Sequence, residues 1–169
     1  PDVEHERLTI LYVEDNDTNW ELTELALKKA YRLTRAINSD QALGLLEQQE
    51  FDLIFMDIEL QNSKLDGIEL TKRLKGNHST SHKSLLTPII FMTAYSSRYT
   101  RQELVRIGAD ELVSKPVDFD KLQSLIAKLL RNQREAVTAE RQLRNRTQEA
   151  LAQAGRDLAL VETQLIHAD

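Results

Sequence analysis

Five short apolar runs, at residues 8–13, 33–37, 51–56, 88–92 and 112–113, alternate with stretches of helical spacing. That alternation constrains the chain more than any other feature. Strands separated by helices cannot pair as hairpins, so the sheet they form is parallel, with helices on both faces. Right-handed crossovers leave few ways to connect such a sheet, and every carboxyl end falls on one edge. Runs as apolar as Ile54-Phe55-Met56 suit strands buried on both faces. Four of the runs give way to polar residues with chemistry to offer: Glu14 and Asp15 after the first, Asp57 after the third, Thr93 after the fourth and Lys115 after the fifth. Ligands of open α/β sheets bind at this edge. Three carboxylates gathered there repel one another unless a cation sits between them.

The helical stretches carry their own punctuation. Asp17 or Thr18 is expected to cap a helix bearing Trp20, Leu22 and Leu25, and Ser39 one bearing Ala42, Leu43 and Leu46. Asp66 caps the helix of Ile68, Leu70 and Leu74, and Gly108 closes that of Leu104, Val105 and Ile107. Phe119 or Asp120 opens the last helix of the domain, and the polar stretch 76–87 reads as a loop.

The 169 residues suffice for one domain and an extra segment. A net charge of −5 gives no attraction to nucleic acid or to an anionic membrane surface. The absence of cysteine rules out disulfides and thiolate metal sites and fits a reducing compartment. No apolar run has the length of a membrane span, and the N-terminus lacks the pattern of a signal peptide. The expectation is a cytoplasmic protein without membrane or direct nucleic-acid partners.

From about Leu122 the pattern becomes continuous helix. Ile126, Leu130 and Val137, then Leu151, Ala154, Leu158, Val161 and Leu165, keep a heptad register. Gln133, Glu140, Arg144 and Thr147 fall on the same seam, so the middle of the stripe is polar unless the register shifts to Leu143. We expect residues 1–131 to form the domain and 132–169 a coiled-coil extension pairing with a second copy. The helical pattern still runs at the end of the sequence, and we expect the extension to be a stalk to a further output domain.

The segment Ile10-Leu11-Tyr12-Val13-Glu14-Asp15-Asn16 resembles the opening of a response-regulator receiver domain, the phosphoacceptor module of two-component signalling. The resemblance continues through Asp57-Ile58, Asp66-Gly67, Pro88-Ile89-Ile90-Phe91-Met92-Thr93-Ala94, Gly108-Ala109-Asp110 and Lys115-Pro116, over roughly residues 8–131. It implies a flavodoxin-like, doubly wound (βα)5 fold with a five-stranded parallel sheet, its last helix here extended into the coiled coil. It implies Asp57 as phosphoacceptor and Mg²⁺ as cofactor, held directly by Asp15 and Asp57, through water by Glu14, and by the backbone carbonyl of Glu59. Thr93 would hydrogen-bond the phosphoryl group and Lys115 would pair with one of its oxygens. The implied donor is a histidine kinase or a histidine phosphotransfer protein. The chemistry is coherent, because a hard cation and a compact ammonium together offset the charge of a phosphoryl group attacked by a carboxylate.

Three features depart from the family pattern. Leu112 stands where receivers usually carry an aromatic residue, although Tyr95, two positions after Thr93, is a candidate for the readout. The loop 58–67 is longer than the common form and lacks its Pro, and the link 76–87 is long. Two other functions compete with the switch. A phosphohydrolase of the haloacid dehalogenase type needs a second acid two residues after the nucleophile, and Glu59 is one methylene too long. A receiver-like module that works without phosphorylation would explain Leu112 but not five site residues at strand ends. His78 and His82 are four apart, yet Asn77, Ser79, Thr80 and Ser81 favour a loop over a zinc-binding helix. His5 and His167 are isolated.

Overall fold

The computed structural model describes residues 7–76, 86–94 and 98–167. His5, His78, His82, Tyr95 and most of the polar 76–87 stretch lie outside the described residues. The elements run in the order β1 (Leu8–Val13), α1 (Asp17–Leu27), β2 (Tyr31–Ala36), α2 (Ser39–Gln48), β3 (Leu53–Asp57), α3 (Gly67–Lys75), β4 (Ile89–Thr93), α4 (Arg101–Ile107), β5 (Glu111–Ser114) and α5 (Phe119–Ile166). All strand pairings are parallel, in the order β2-β1-β3-β4-β5. This is the flavodoxin-like sheet, whose strand order reverses between β1 and β3.

The central strands are buried on both faces, and their side chains divide by the period of two. Leu11, Val13, Ile54, Met56, Ile89 and Phe91 pack on one side with Ala42, Leu70, Leu74 and Leu104 of α2, α3 and α4. Ile10, Tyr12, Leu53, Phe55, Ile90 and Met92 pack on the other with Leu27 of α1 and Leu122 and Ile126 of α5. Burial of each such side chain contributes about 1.5–3 kcal/mol, so the carboxyl edge rests on a rigid base.

Several boundaries differ from expectation. The strand before Asp57 starts at Leu53 instead of Phe51, and Asp57 and Thr93 are themselves the last strand residues. Asp52, ahead of β3, is held by Thr9, whose N–H and hydroxyl donate to its carboxylate at 2.9 and 3.2 Å. β2 runs over Tyr31–Ala36, because the edge position needs pairing with β1 only and tolerates Arg32 and Arg35. Asn16 caps α1 in place of Asp17 or Thr18, and Asn38 caps α2 in place of Ser39. Each asparagine carbonyl accepts the backbone N–H three residues on, at 2.9 Å. Asp66 and Thr100 cap α3 and α4, and Gly108 comes after α4 at φ 134°, a backbone region favouring glycine. The Lys115–Pro116 peptide is cis.

The chain divides into two compact units at the Leu130/Arg131 bond. In the first, Leu122, Ile126 and Leu130 of α5 are buried in the core. In the second, the same helix continues without a break to Ile166 and leaves Leu151, Leu158, Val161 and Leu165 exposed. Among the described residues, no helix is long and apolar enough to cross a membrane.

Candidate functional site

β1 and β3 are neighbours in the sheet, so the residues at their carboxyl ends lie side by side. Glu14 prolongs the pairing of β1 with β2, its N–H donating to the Ala36 carbonyl at 2.9 Å, and its side chain is fully buried. A carboxylate without solvent needs partners. Oε2 receives the Lys115 ammonium at 2.9 Å, and Oε1 accepts from the Asn19 amide at 3.0 Å and the Asn16 N–H at 3.3 Å. Lys115 also lies 3.6 Å from Asp57, which is 6% exposed. Asp57 Oδ1 accepts the N–H of Glu59 at 3.1 Å, and Asp15 Oδ2 accepts the N–H of Gln61 at 2.8 Å. Oxygens of Glu14, Asp15 and Asp57 all fall within 4.8 Å of one another.

The charge at this point is unbalanced. Lys115 sits closer to Glu14 than to Asp57, and one ammonium cannot offset three carboxylates. Burial, and after it the field of Glu14, pushes the Asp57 carboxyl from 3.8 up to about 7, against the opposing pull of Lys115 and the Glu59 N–H. A divalent cation among the three acids would remove that strain, and the donors are the hard oxygens such an ion prefers.

Arg35 supports the acidic turn from below. Its Nε donates to the Glu14 carbonyl at 2.9 Å and its Nη1 meets Asp17 at 2.8 Å. Gly67 supports Asp57 from the α3 side. A Cβ at that position would stand 2.0 Å from the Asp57 carbonyl oxygen, so only glycine lets α3 start here.

Glu14, Asp15, Asp57, Glu59 and Lys115 line one polar cleft of about 620 Å³. Thr93 does not line it; its neighbour Ala94 does. Thr93 is buried and borders an adjoining cavity of about 250 Å³, shared with Tyr99, Leu104 and Leu112. Sequence reasoning misses Tyr99, which stands on the same cavity as the residue at the usual aromatic position. It also misses Asn19, Arg35 and the backbone of Gln61. Asn19, five residues after Glu14, is within reach of helix periodicity. No sequence signal marks the other two, which reach the site from a neighbouring strand and a long loop.

The sequence profile of the response regulator receiver domain matches residues 10–127. The chain is 36% identical over 130 residues to the transcriptional regulatory protein ZraR of Klebsiella oxytoca, covering 76% of this chain and 28% of that protein. It thus spans under a third of the length of that relative. It is 30% identical over 123 residues to the polar-differentiation response regulator DivK of Brucella anthropi, covering 72% of this chain and 95% of DivK. Among solved structures, it resembles the receiver domain of a sensor histidine kinase from Pseudomonas aeruginosa, which holds a magnesium ion in its active-site cleft. That likeness has a TM-score of 0.64 and 29% identity, over 73% of this chain and 98% of the other. Profile, relatives and strand order agree with the acidic cleft between β1 and β3, and the chain belongs to the response regulator receiver domain family.

Proposed function

We propose that this protein is a phosphoacceptor switch, phosphorylated on Asp57 with Mg²⁺ and signalling through its C-terminal helix. The carrying observation is the excess of buried negative charge at the ends of β1 and β3, met among the described residues by a single lysine. Asp15 and Asp57 would hold the metal directly, Glu14 through water, and Glu59 by its carbonyl. The magnesium ion in the active-site cleft of the Pseudomonas relative supports the choice of metal. When bound, the ion supplies positive charge to the phosphoryl oxygens and lets them approach the carboxylates.

In the transfer, an Asp57 oxygen attacks phosphorus in line and the bond from phosphorus to the donor histidine nitrogen breaks. The electron pair of that bond stays with the imidazole, which regains a proton from solvent. Lys115 offsets charge on the transferred group from the side of Glu14 and Asp57. Thr93 reads the phosphoryl oxygen and couples the site to the cavity bordered by Tyr99 and Leu112. The donor is a histidine kinase or a histidine phosphotransfer protein of the cytoplasm.

Residues 132–169 form a stalk that pairs with a second copy as a coiled coil and leads to an output domain. The exposed stripe of Leu151, Leu158, Val161 and Leu165 supports pairing over the last heptads. Relatives carry different outputs, a transcriptional regulator and a probable cyclic di-GMP phosphodiesterase among them, so the receiver does not fix the output.

Incubation with Mg²⁺ and a small acyl phosphate tests the reading. The mass of wild type rises by one phosphoryl group, and Asp57→Asn does not change. Ultracentrifugation of the same samples reads the oligomeric state, with Leu158→Glu expected to be monomeric. Labelling of Asp57→Asn, or sustained hydrolysis of phosphomonoesters, would overturn the proposal.

A further inference from the structure

Two serines fasten the loop between β3 and α3 to the start of α2. Ser39, the first residue of α2, is 1% exposed. Its N–H donates to Ser63 Oγ at 2.9 Å, and its own Oγ accepts the N–H of Leu65 at 3.1 Å. The two hydroxyls lie 3.1 Å apart, and Ser63 lies 2.6 Å from the Leu65 carbonyl. Ser63 has one proton, which goes to that shorter contact, so Ser39 donates to Ser63. Three hydrogen bonds thus join loop and helix, and a fourth, from Ser63 to the Leu65 carbonyl, braces the loop itself.

Just before Ser63, the same loop turns at Asn62, which adopts φ 50°. Immediately ahead of that turn, the Gln61 N–H meets Asp15 Oδ2 at 2.8 Å. Leu60 is buried, which leaves the segment between Leu60 and the serine clasp little freedom to carry Gln61 elsewhere. The nearby Lys64–Asp40 pair, at 3.6 Å with both side chains largely exposed, adds little.

We infer that Ser39 and Ser63 are positioning residues for the metal site, acting through the Gln61 N–H on the Asp15 carboxylate. The inference rests on the proposed role of Asp15 as a direct ligand. A hydrogen bond to one oxygen of a ligating carboxylate fixes the plane of the group and aims the other oxygen. Loss of such a partner typically weakens metal binding about 10–100-fold. The long loop therefore belongs to the ion-binding apparatus of this protein, although none of its side chains ligates the ion.

Mg²⁺ titration by calorimetry on the unphosphorylated chain, with amide exchange at Gln61, tests this. Ser63→Ala is expected to weaken Mg²⁺ binding about tenfold and to speed exchange at Gln61, with the sheet amides still protected. Ser63→Thr, which keeps the hydroxyl, restores affinity, and Lys64→Ala in the same loop changes nothing. Unchanged or tighter binding by Ser63→Ala, with wild type binding normally, overturns the clasp but leaves the metal site standing. A wild type that binds no Mg²⁺ overturns the metal site and the clasp together.

Discussion

Removal of the Asp57 charge should stabilise the metal-free protein. Asp57 is nearly buried, and the closest cation among the described residues, Lys115 at 3.6 Å, is committed to Glu14 at 2.9 Å. The carboxyl therefore holds its proton up to about pH 7 in the folded state, against 3.8 for an ordinary aspartate. Proton counts give the direction of the linkage. Between these two values the folded state binds more protons than the unfolded, so stability falls as pH rises. The favourable contribution is complete below about pH 4 and is lost as pH passes through about 7. A displacement of roughly three pH units corresponds to about 4 kcal/mol, taken as a ceiling because neighbouring charges relax.

Asp57→Asn keeps the size of the side chain and an oxygen able to accept the Glu59 N–H. In chelator at about pH 8, the variant should exceed wild type by about 2–4 kcal/mol in urea unfolding. At about pH 4 the two curves should converge. Millimolar Mg²⁺ should narrow the gap, because the ion stabilises wild type by mass action and finds a weaker site in the variant. Equal stability at about pH 8 in chelator would refute the reasoning, since it would mean that Lys115 satisfies both carboxylates at once.

Two further substitutions test other parts of the same geometry. Lys115→Ala leaves Glu14 fully buried without its cation and should cost about 3–5 kcal/mol by urea unfolding, partly recovered in the double variant with Asp57→Asn; a loss under about 1 kcal/mol would show that Asn16 and Asn19 suffice for Glu14. Gly67→Ala forces a Cβ to within 2.0 Å of the Asp57 carbonyl oxygen, so it should cost about 3 kcal/mol and reduce labelling by acyl phosphate, and full labelling at wild-type stability would contradict the close approach.

The sheet was legible because its determinants are local. Each central strand is a short apolar run, and a run buried on both faces has few other uses, so Ile54-Phe55-Met56 announces itself. Glu14, Asp15 and Asp57 were legible for a related reason, since a strand end fixes where its next side chains go whatever the loop does. Cap identity was less legible. Asp17 and Ser39 are good capping types, but their neighbours Asn16 and Asn38 won by one position, and only the backbone angle at each residue decides between adjacent candidates.

The surroundings of the acids were not legible, because they rest on contacts between residues distant in sequence. Arg35 reaches Glu14 across 21 positions and Gln61 reaches Asp15 across 46, the latter through a backbone N–H that every residue but proline carries. A donor of that kind leaves no trace in side-chain identity. The only sequence sign of the Gln61 contact was the extra length of the loop, which on its own suggests altered access or partner choice and says nothing of the fastening by Ser39 and Ser63. The three clustered carboxylates are thus placed by the ends of β1 and β3, while the contact that holds Asp15 comes from a loop whose own fastening lies at α2.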